Sequence, residues 1–383
     1  MAQPIKLLLA LSLAALAAHA DTVTILLVGD INISQRADPT TAFANVLQPL
    51  KSADLVYGNL EGLLVKSEGP DRDIPDKSGW IHLGPETVKA LKAGNIQVVG
   101  MANNVAYGPA NIMKSLAVLD ANGIAHTGAG ANLDAAHQPA IVERKGVKIG
   151  FLQYTAKWYA QDQQIATASR PGVARMLSKD GSTIDENDLA RLREDIRRLR
   201  PLVDVLIVSS HNRDGFSLPM PADMLAETRP LSASPRPDDP SLFAPIPLGP
   251  RFMQAEPYEK LLAHAAIDAG ADIVYGHGSH VLQGVEVYKG KPVMYCLGNF
   301  ATDWIRMRPN KDGLVARVIV EGKKIARVSL TPVTRDADTN NVRMLHAGDG
   351  EGAGLLKKVR DLSPETPLPV DGHEAILIAR GNP

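Results

Sequence analysis

Only one cysteine, Cys296, occurs in 383 residues, so no internal disulfide can form and the core must hold by packing. Its apolar surroundings mark it as a small core residue rather than a reactive thiol. Neither charge sign is in surplus: 41 Lys+Arg face 42 Asp+Glu, a formal net charge of −1. Aromatic residues make up 4% of the chain and do not interleave with basic ones. Together with the missing basic surplus, this excludes nucleic acid as a partner. Beyond residue 20 no apolar run is long enough to cross a bilayer. What remains is the composition of an ordinary globular protein, long enough for a large core.

The first twenty residues stand apart. Lys6 precedes an unbroken apolar stretch, Leu7 to Ala18, and Ala18-His19-Ala20 follows it before Asp21. A charged start, an apolar run too short to span a bilayer and an A-x-A site predict a signal peptide over residues 1–20. The expected mature chain begins at Asp21 and is periplasmic or secreted; an uncleaved membrane anchor is the alternative. Loss of Lys6 leaves 40 Lys+Arg against 42 Asp+Glu, a net charge of −2.

Short apolar runs bounded by glycine predict strands at 22–28, 54–58, 96–101, 124–127, 203–209 and 272–275. Helical patterns at 40–50, 85–93, 109–122, 185–199 and 258–269 alternate with them. Hairpins are expected around Lys145-Gly146, Lys289-Gly290 and Glu321-Gly322, and a polar tail carries one short helix near 354–361. The alternation predicts an α/β fold with a largely parallel central sheet. Residues 66–80, charged and rich in Gly, Pro and Asp, read as a loop. Between Gly215 and Pro257 lie ten of the 27 prolines, a density that forbids long helices and inner strands. This predicts a loop insertion over about 214–257, with a lid as one reading. The expected domain covers 21–305 with that insertion, and 306–383 completes it as a hairpin and tail.

One stretch organises the rest: Gly276 to Phe300, which releases His277 and His280 on a loop after an apolar strand. Imidazole is the commonest metal ligand among side chains, although two loop histidines are as often plain structure. Other strands also end on polar groups: Asp30, Glu61, Asn104 and His211. Singly, such residues serve turns and caps. In a parallel sheet, however, the carboxyl ends of the strands share one edge, where these side chains can converge. Two carboxylates, an amide and three imidazoles suit a divalent transition metal (Mn, Zn or Fe) better than Ca or Mg. Two such ions could share a carboxylate and activate a water toward phosphorus. His82, His126, His137 and His264 fall outside the pattern and read as structure. Trp80, Trp158 and Trp304 read as core or rim, and Asn299 as a brace for the histidine loop. Ser209-Ser210-His211 lacks a nucleophile elbow.

The order Gly29-Asp30, Asn59-Leu60-Glu61, Ala102-Asn103-Asn104, His211, Gly276-His277…His280-Val281-Leu282-Gln283 and Leu297-Gly298-Asn299-Phe300 resembles the capsule-synthesis CapA family. That family is named for poly-γ-glutamate biosynthesis and is related to calcineurin-like metallophosphoesterases. The likeness covers roughly residues 22–303. It implies a four-layer α/β/β/α sandwich, with Asp30 and His280 holding one metal, Asn104, His211 and His277 a second, and Glu61 bridging. It implies catalytic roles for His211 and Asn104, an anionic polymer or phosphoester substrate, and a capsule-synthesis complex at the membrane as partner.

The chain departs from the family pattern. The usual Asn-His pair is Asn104-Val105, so the histidine expected to protonate a leaving group is missing, and so is an aspartate just downstream. His-Trp-Gly has become His211-Asn212-Arg213, and His-x-Pro-His has become His277-Gly278-Ser279-His280. General-acid help is typically worth about 10²–10⁴-fold and would need another donor, such as Arg213, Asp214 or an insertion residue. Three readings follow: a metal-dependent hydrolase of the phosphoesterase type, a catalytically silent envelope factor for polymer synthesis or export, and a metal-free interaction protein.

Overall fold

Apolar strand-forming runs and the helices between them assort into two sheets packed face to face, with helices on both outer faces. The structure, a computed structural model of the chain, describes residues 22–34, 36–66, 74, 82–212, 250–304 and 310–379. The expected signal peptide, most of the 66–80 loop and residues 214–249 of the expected 214–257 insertion lie outside the described residues.

In the first sheet β1 (Val23–Asn32), β2 (Leu55–Leu60), β3 (Ile96–Gly100) and β4 (Ala125–Thr127) run parallel in that order. Helices Leu47–Ser52, Thr87–Ala93 and Pro109–Ala121 cross between them. They bury Leu50, Leu91 and Leu116 against Leu26, Val56 and Val99 on the sheet's outer face. Pro109 sits at the start of its helix, where the missing N–H would have no helical partner anyway. A two-residue pair, β5 (Ala129–Gly130) with β8 (Gly172–Val173), stands apart from both sheets.

The second sheet contains β6 (Ala140–Arg144), β7 (Val147–Thr155), β9 (Val205–His211), β10 (Ile273–His277), β11 (Val285–Tyr288) and β12 (Lys291–Met294). Its order is β11-β12-β10-β9-β7-β6, parallel through the middle and antiparallel at both edges. Helices Glu186–Leu199 and Pro257–Ala269 cover its outer face, where Leu192, Ile196, Leu262 and Ala266 pack on Leu152, Leu206, Val208 and Val274. Asp185 caps the first helix by accepting from the backbone N–H of Asn187 and Asp188. Glu256 and Glu259 form a reciprocal capping box on the second.

Between the sheets Ile25, Leu27, Tyr57 and Val98 meet Ile149, Phe151, Ile207 and Tyr275. Full burial of each such aliphatic or Phe side chain stabilises the fold by about 1.5–3 kcal/mol. Tyr57 stacks on Phe151 at 4.5 Å between ring centroids, and its hydroxyl hydrogen-bonds Ser209 Oγ at 2.7 Å. The four-layer α/β/β/α sandwich is thus observed. Past β13 (Asn299–Thr302), the hairpin of β14 (Gly313–Glu321) and β15 (Lys324–Arg335) extends the first sheet antiparallel to β1.

Several expectations need correction. The parallel strands belong to two sheets rather than to one central sheet. The 40–50 helix is broken into a 3₁₀ turn, Pro39–Phe43, and the short Leu47–Ser52 helix; Pro49 lacks the N–H that a longer helix would use. The tail is more than polar chain with one helix. It adds β16 (Val342–Met344), β17 (Val370–Asp371) and β18 (Glu374–Ala379), whose apolar run pairs with β15. The tail helix, Gly350–Asp361, packs Leu355 and Leu356 into the inter-sheet core. Cys296 is buried just past the end of β12 rather than within a strand.

Candidate metal centre

The carboxyl-terminal ends of β1, β2 and β3 in one sheet and of β9 and β10 in the other meet at one edge of the sandwich. Two glycines allow the close approach this requires. A Cβ on Gly29 would lie 2.1 Å from the Gly298 carbonyl oxygen, and one on Gly276 would lie 2.0 Å from that of Tyr295. A register irregularity between Asp30 and Ile31, where β1 meets β13, re-aims the Asp30 side chain.

His277 is the last residue of β10, paired in register with His211 of β9, so it is not on a loop as expected. The backbone turns sharply after it, with positive φ at Gly278 (103°) and at His280 itself (57°). This turn carries His280 across to the carboxylates of the first sheet. His277 Nδ1 lies 3.0 Å from Asp30 Oδ1; His280 Nδ1 lies 3.5 Å from Asp30 Oδ2, and its Nε2 lies 3.4 Å from Glu61 Oε1. Asp30, Glu61 and His280 each offer a ligand atom within 4.8 Å of the other two, and all three are buried. His211, His277 and Asn104 are buried as well, at 0%, 1% and 1% exposure. The structure therefore brings all six sequence-predicted positions to one edge, and three of them into ligand-to-ligand range.

Most of the supporting polar shell escapes sequence reasoning. Asn59 Nδ2 donates to Asp30 Oδ1 at 2.8 Å and faces His211 Nδ1 at 3.5 Å. Its Oδ1 accepts from Asn103 Nδ2 at 3.2 Å and from Gln153 Nε2 at 3.1 Å. The signal was available in part: in Asn59-Leu60-Glu61, strand alternation puts Asn59 and Glu61 on one side. Gln153, from β7 of the other sheet, belongs to no motif. Asn299 braces the histidine turn as the sequence suggests. Its Oδ1 is 3.0 Å from His280 Nδ1, and its Nδ2 donates to the His280 carbonyl. An amide oxygen only accepts, so this contact keeps the proton on Nδ1 and turns the Nε2 lone pair toward Glu61.

Electrostatics favour ligand forms of these groups. Burial alone would raise the Asp30 carboxyl, but the hydrogen bond from His277 beside it, with the His280 and His211 rings close by, holds it well below the usual carboxylate range. Burial pushes the His211 imidazole well below its ordinary value, and Lys157, His280 and His277 act in the same direction against Asp30. An ionised carboxylate and a neutral imidazole are the forms a cation needs. The donor set passes a second test. Among the described residues, Asp30 Oδ2, Asn104 Oδ1, His211 Nε2 and His277 Nε2 are buried with no hydrogen-bond partner. Leaving buried polar atoms unsatisfied costs about 1–3 kcal/mol each, so such a concentration fits a cation site. Val105, where the family histidine would stand, is fully buried beside Ile74, Trp304 and Tyr107.

Comparison with known proteins shows the family. The family described as bacterial capsule synthesis protein PGA_cap matches residues 19–224 and 250–304. Capsule biosynthesis protein CapA of Bacillus anthracis is 27% identical over 88% of this chain and 76% of its own. PGA biosynthesis protein CapA of Bacillus subtilis is 26% identical over 82% of this chain and 72% of its own. Among solved structures, a phosphatase from Mycoplasma pneumoniae superposes with a TM-score of 0.46 at 12% identity, covering 83% of this chain and 96% of that one.

Proposed function

Because the chain belongs to the bacterial capsule synthesis protein PGA_cap family, we infer that it serves the making of an anionic poly-γ-glutamate capsule outside the cytoplasm. Its activity in this reading is that of a hydrolase of the phosphoester type, dependent on a divalent transition metal of the Mn, Zn or Fe class. The observation that carries it is the convergence of two buried carboxylates and a buried imidazole, drawn from two sheets, with ligand atoms within 4.8 Å of one another. The signal-like segment at 1–20 supports export, and none of the described helices is long and apolar enough to cross a membrane.

Asp30, His280 and the bridging Glu61 would hold one ion, and Asn104, His211 and His277 a second. An ion held there supplies Lewis acidity toward an anionic oxygen and lowers the pKa of a water. The chain's own residues do the positioning. Asn59 fixes the Asp30 carboxylate, Asn299 fixes the His280 ring, and the Gly278–His280 turn sets their separation. Burial keeps His211 neutral and able to coordinate or to accept a proton.

Metal content of the purified protein, beside a His277→Ala/His280→Ala double variant, tests this. About one to two equivalents of transition metal are expected in the former and none in the latter. Wild-type protein that stays empty after incubation with Mn and Zn would refute the metal centre. Turnover of a simple phosphodiester by the loaded protein then separates the hydrolase from a second reading. In that reading the chain is a silent envelope factor that binds an anionic polymer, and the buried Val105 in place of a leaving-group donor favours it.

A further inference from the structure

The loop leaving β7 borders the candidate centre on two sides. Thr155, at the end of β7, pairs in register with His211, and the Ala156 N–H donates to the His211 carbonyl at 2.9 Å. Lys157 follows directly in sequence and is half-buried, and its positive charge is among those that disfavour a protonated His211. Among the described residues its ammonium has neither a carboxylate within ion-pair range nor a hydrogen-bond acceptor. A half-buried cation without a counter-charge is unfavourable unless an anion comes to it.

Two residues on, the loop reaches the other side. Asn104 Nδ2 donates to the Tyr159 hydroxyl at 3.2 Å, while Asn104 Oδ1, the opposite end of the same amide, is one of the partnerless ligand atoms. One amide therefore separates the phenol from the centre. The phenol oxygen accepts in that bond, so its own proton is directed to another acceptor. This arrangement does not rest on one exposed contact. Gln164, fully buried, clamps the two loops together. Its Oε1 accepts from the Tyr159 and Ala160 N–H groups at 2.6 and 3.2 Å, and its Nε2 donates to the Asn104 and Ala106 carbonyls at 2.8 and 3.3 Å. Trp158, between Lys157 and Tyr159, packs against the outer core of the first sheet and anchors the loop.

We propose that Lys157 and Tyr159 form the oxyanion-recognising edge of this site, binding phosphoryl or carboxylate oxygens of the substrate beside Asn104 and His211. This deepens the metal-centre reading and rests on it. It gives the site positive charge beside His211, and it places a hydroxyl next to Asn104 in a chain whose neighbouring position is valine.

The test is titration calorimetry on the full chain after incubation with Mn(II), using inorganic phosphate and, separately, a γ-linked glutamate oligomer. Wild type, Lys157→Met, Lys157→Arg and Tyr159→Phe are compared, with Mn content measured in each. Lys157→Met is expected to weaken the preferred anion about tenfold, with Lys157→Arg recovering most of that loss. Tyr159→Phe should weaken it about fivefold, and all variants should carry wild-type Mn. Preference for phosphate points to a phosphoester source and preference for the oligomer to glutamyl carboxylates; either supports the edge. Variants that bind both probes as wild type does, or a wild type that binds neither, would overturn it. If wild type takes up no Mn, the metal reading fails separately. Phosphate affinity of the metal-free protein, with and without Lys157→Met, then decides the edge by the same tenfold criterion.

Discussion

Replacing Asn59 with leucine, a side chain of similar size, removes the polar joint between the two halves of the centre. Asn59 makes one bond to the Asp30 carboxylate and accepts two, from Asn103 and Gln153. Asn103 Nδ2 keeps the Leu60 carbonyl at 2.9 Å, so its loss is small. Gln153 Nε2 loses the acceptor that holds it, at about 1–3 kcal/mol, and Asp30 loses a charge-assisted bond worth about 1.5–3 kcal/mol. The sum, about 2.5–6 kcal/mol, is a large share of a typical folding free energy of about 5–15 kcal/mol. Losing the group that orients a ligand should also weaken metal binding about 10–100-fold. Urea unfolding of the metal-free protein measures the first quantity, and Mn or Zn titration against a chromophoric chelator the second. Leu356→Ala, on the tail helix where it enters the inter-sheet core, serves as control: it should cost about 2–5 kcal/mol with metal affinity unchanged. Asn59→Leu protein that holds metal as tightly as wild type would refute the idea that Asn59 organises the centre.

Other outcomes follow from the same geometry. Gly276→Ala puts a Cβ 2.0 Å from a backbone oxygen that no rotamer change can move, so a loss of at least about 3 kcal/mol is expected in denaturant unfolding. Tyr57→Phe removes the hydrogen bond between the sheets at Ser209 and should cost about 1 kcal/mol by the same measurement. The metal-free protein should weaken in acid. Burial first, then neighbouring positive charge, lowers His211 below 6.5, so the unfolded chain takes up a proton there that the folded chain refuses. The associated stability is present above about pH 6.5 and is lost below it at up to about 1.4 kcal/mol per pH unit. Asp30, also lowered, adds a loss of the same sign only at much lower pH. Unfolding midpoints at pH 7 and 5.5 check this, and His211→Asn should flatten the difference.

The candidate positions were legible because each lies at or just past the end of an apolar run, and strand ends are where a chain can be read for chemistry. Asp30, Glu61, Asn104, His211 and His277 all follow that rule. The division of those strands between two sheets was not legible from alternation alone, since buried strands of one parallel sheet and of two stacked sheets share the same apolar pattern. Local pattern also overstated the 40–50 helix, where Pro49 prevails, and undervalued the Glu374–Ala379 run, whose pairing partner β15 lies far away in sequence. Gln153 and Gln164 were invisible for a related reason. A buried glutamine within a strand or a one-turn helix has no motif, and its role exists only once the loops it joins are in place.

The seam between the sheets has a consequence of its own. Positions 30 and 280 lie far apart in the chain and come from different layers, yet their ligand atoms lie within 4.8 Å of a common third. An ion gripping both would act as a clasp across the sandwich, the one long-range cross-link open to a chain with a single cysteine. At a thousandfold excess over its Kd such an ion adds about 4 kcal/mol to the folded state. The same atoms would then decide how long the protein stays folded as well as what it does, and a chelator would loosen the architecture along with the chemistry.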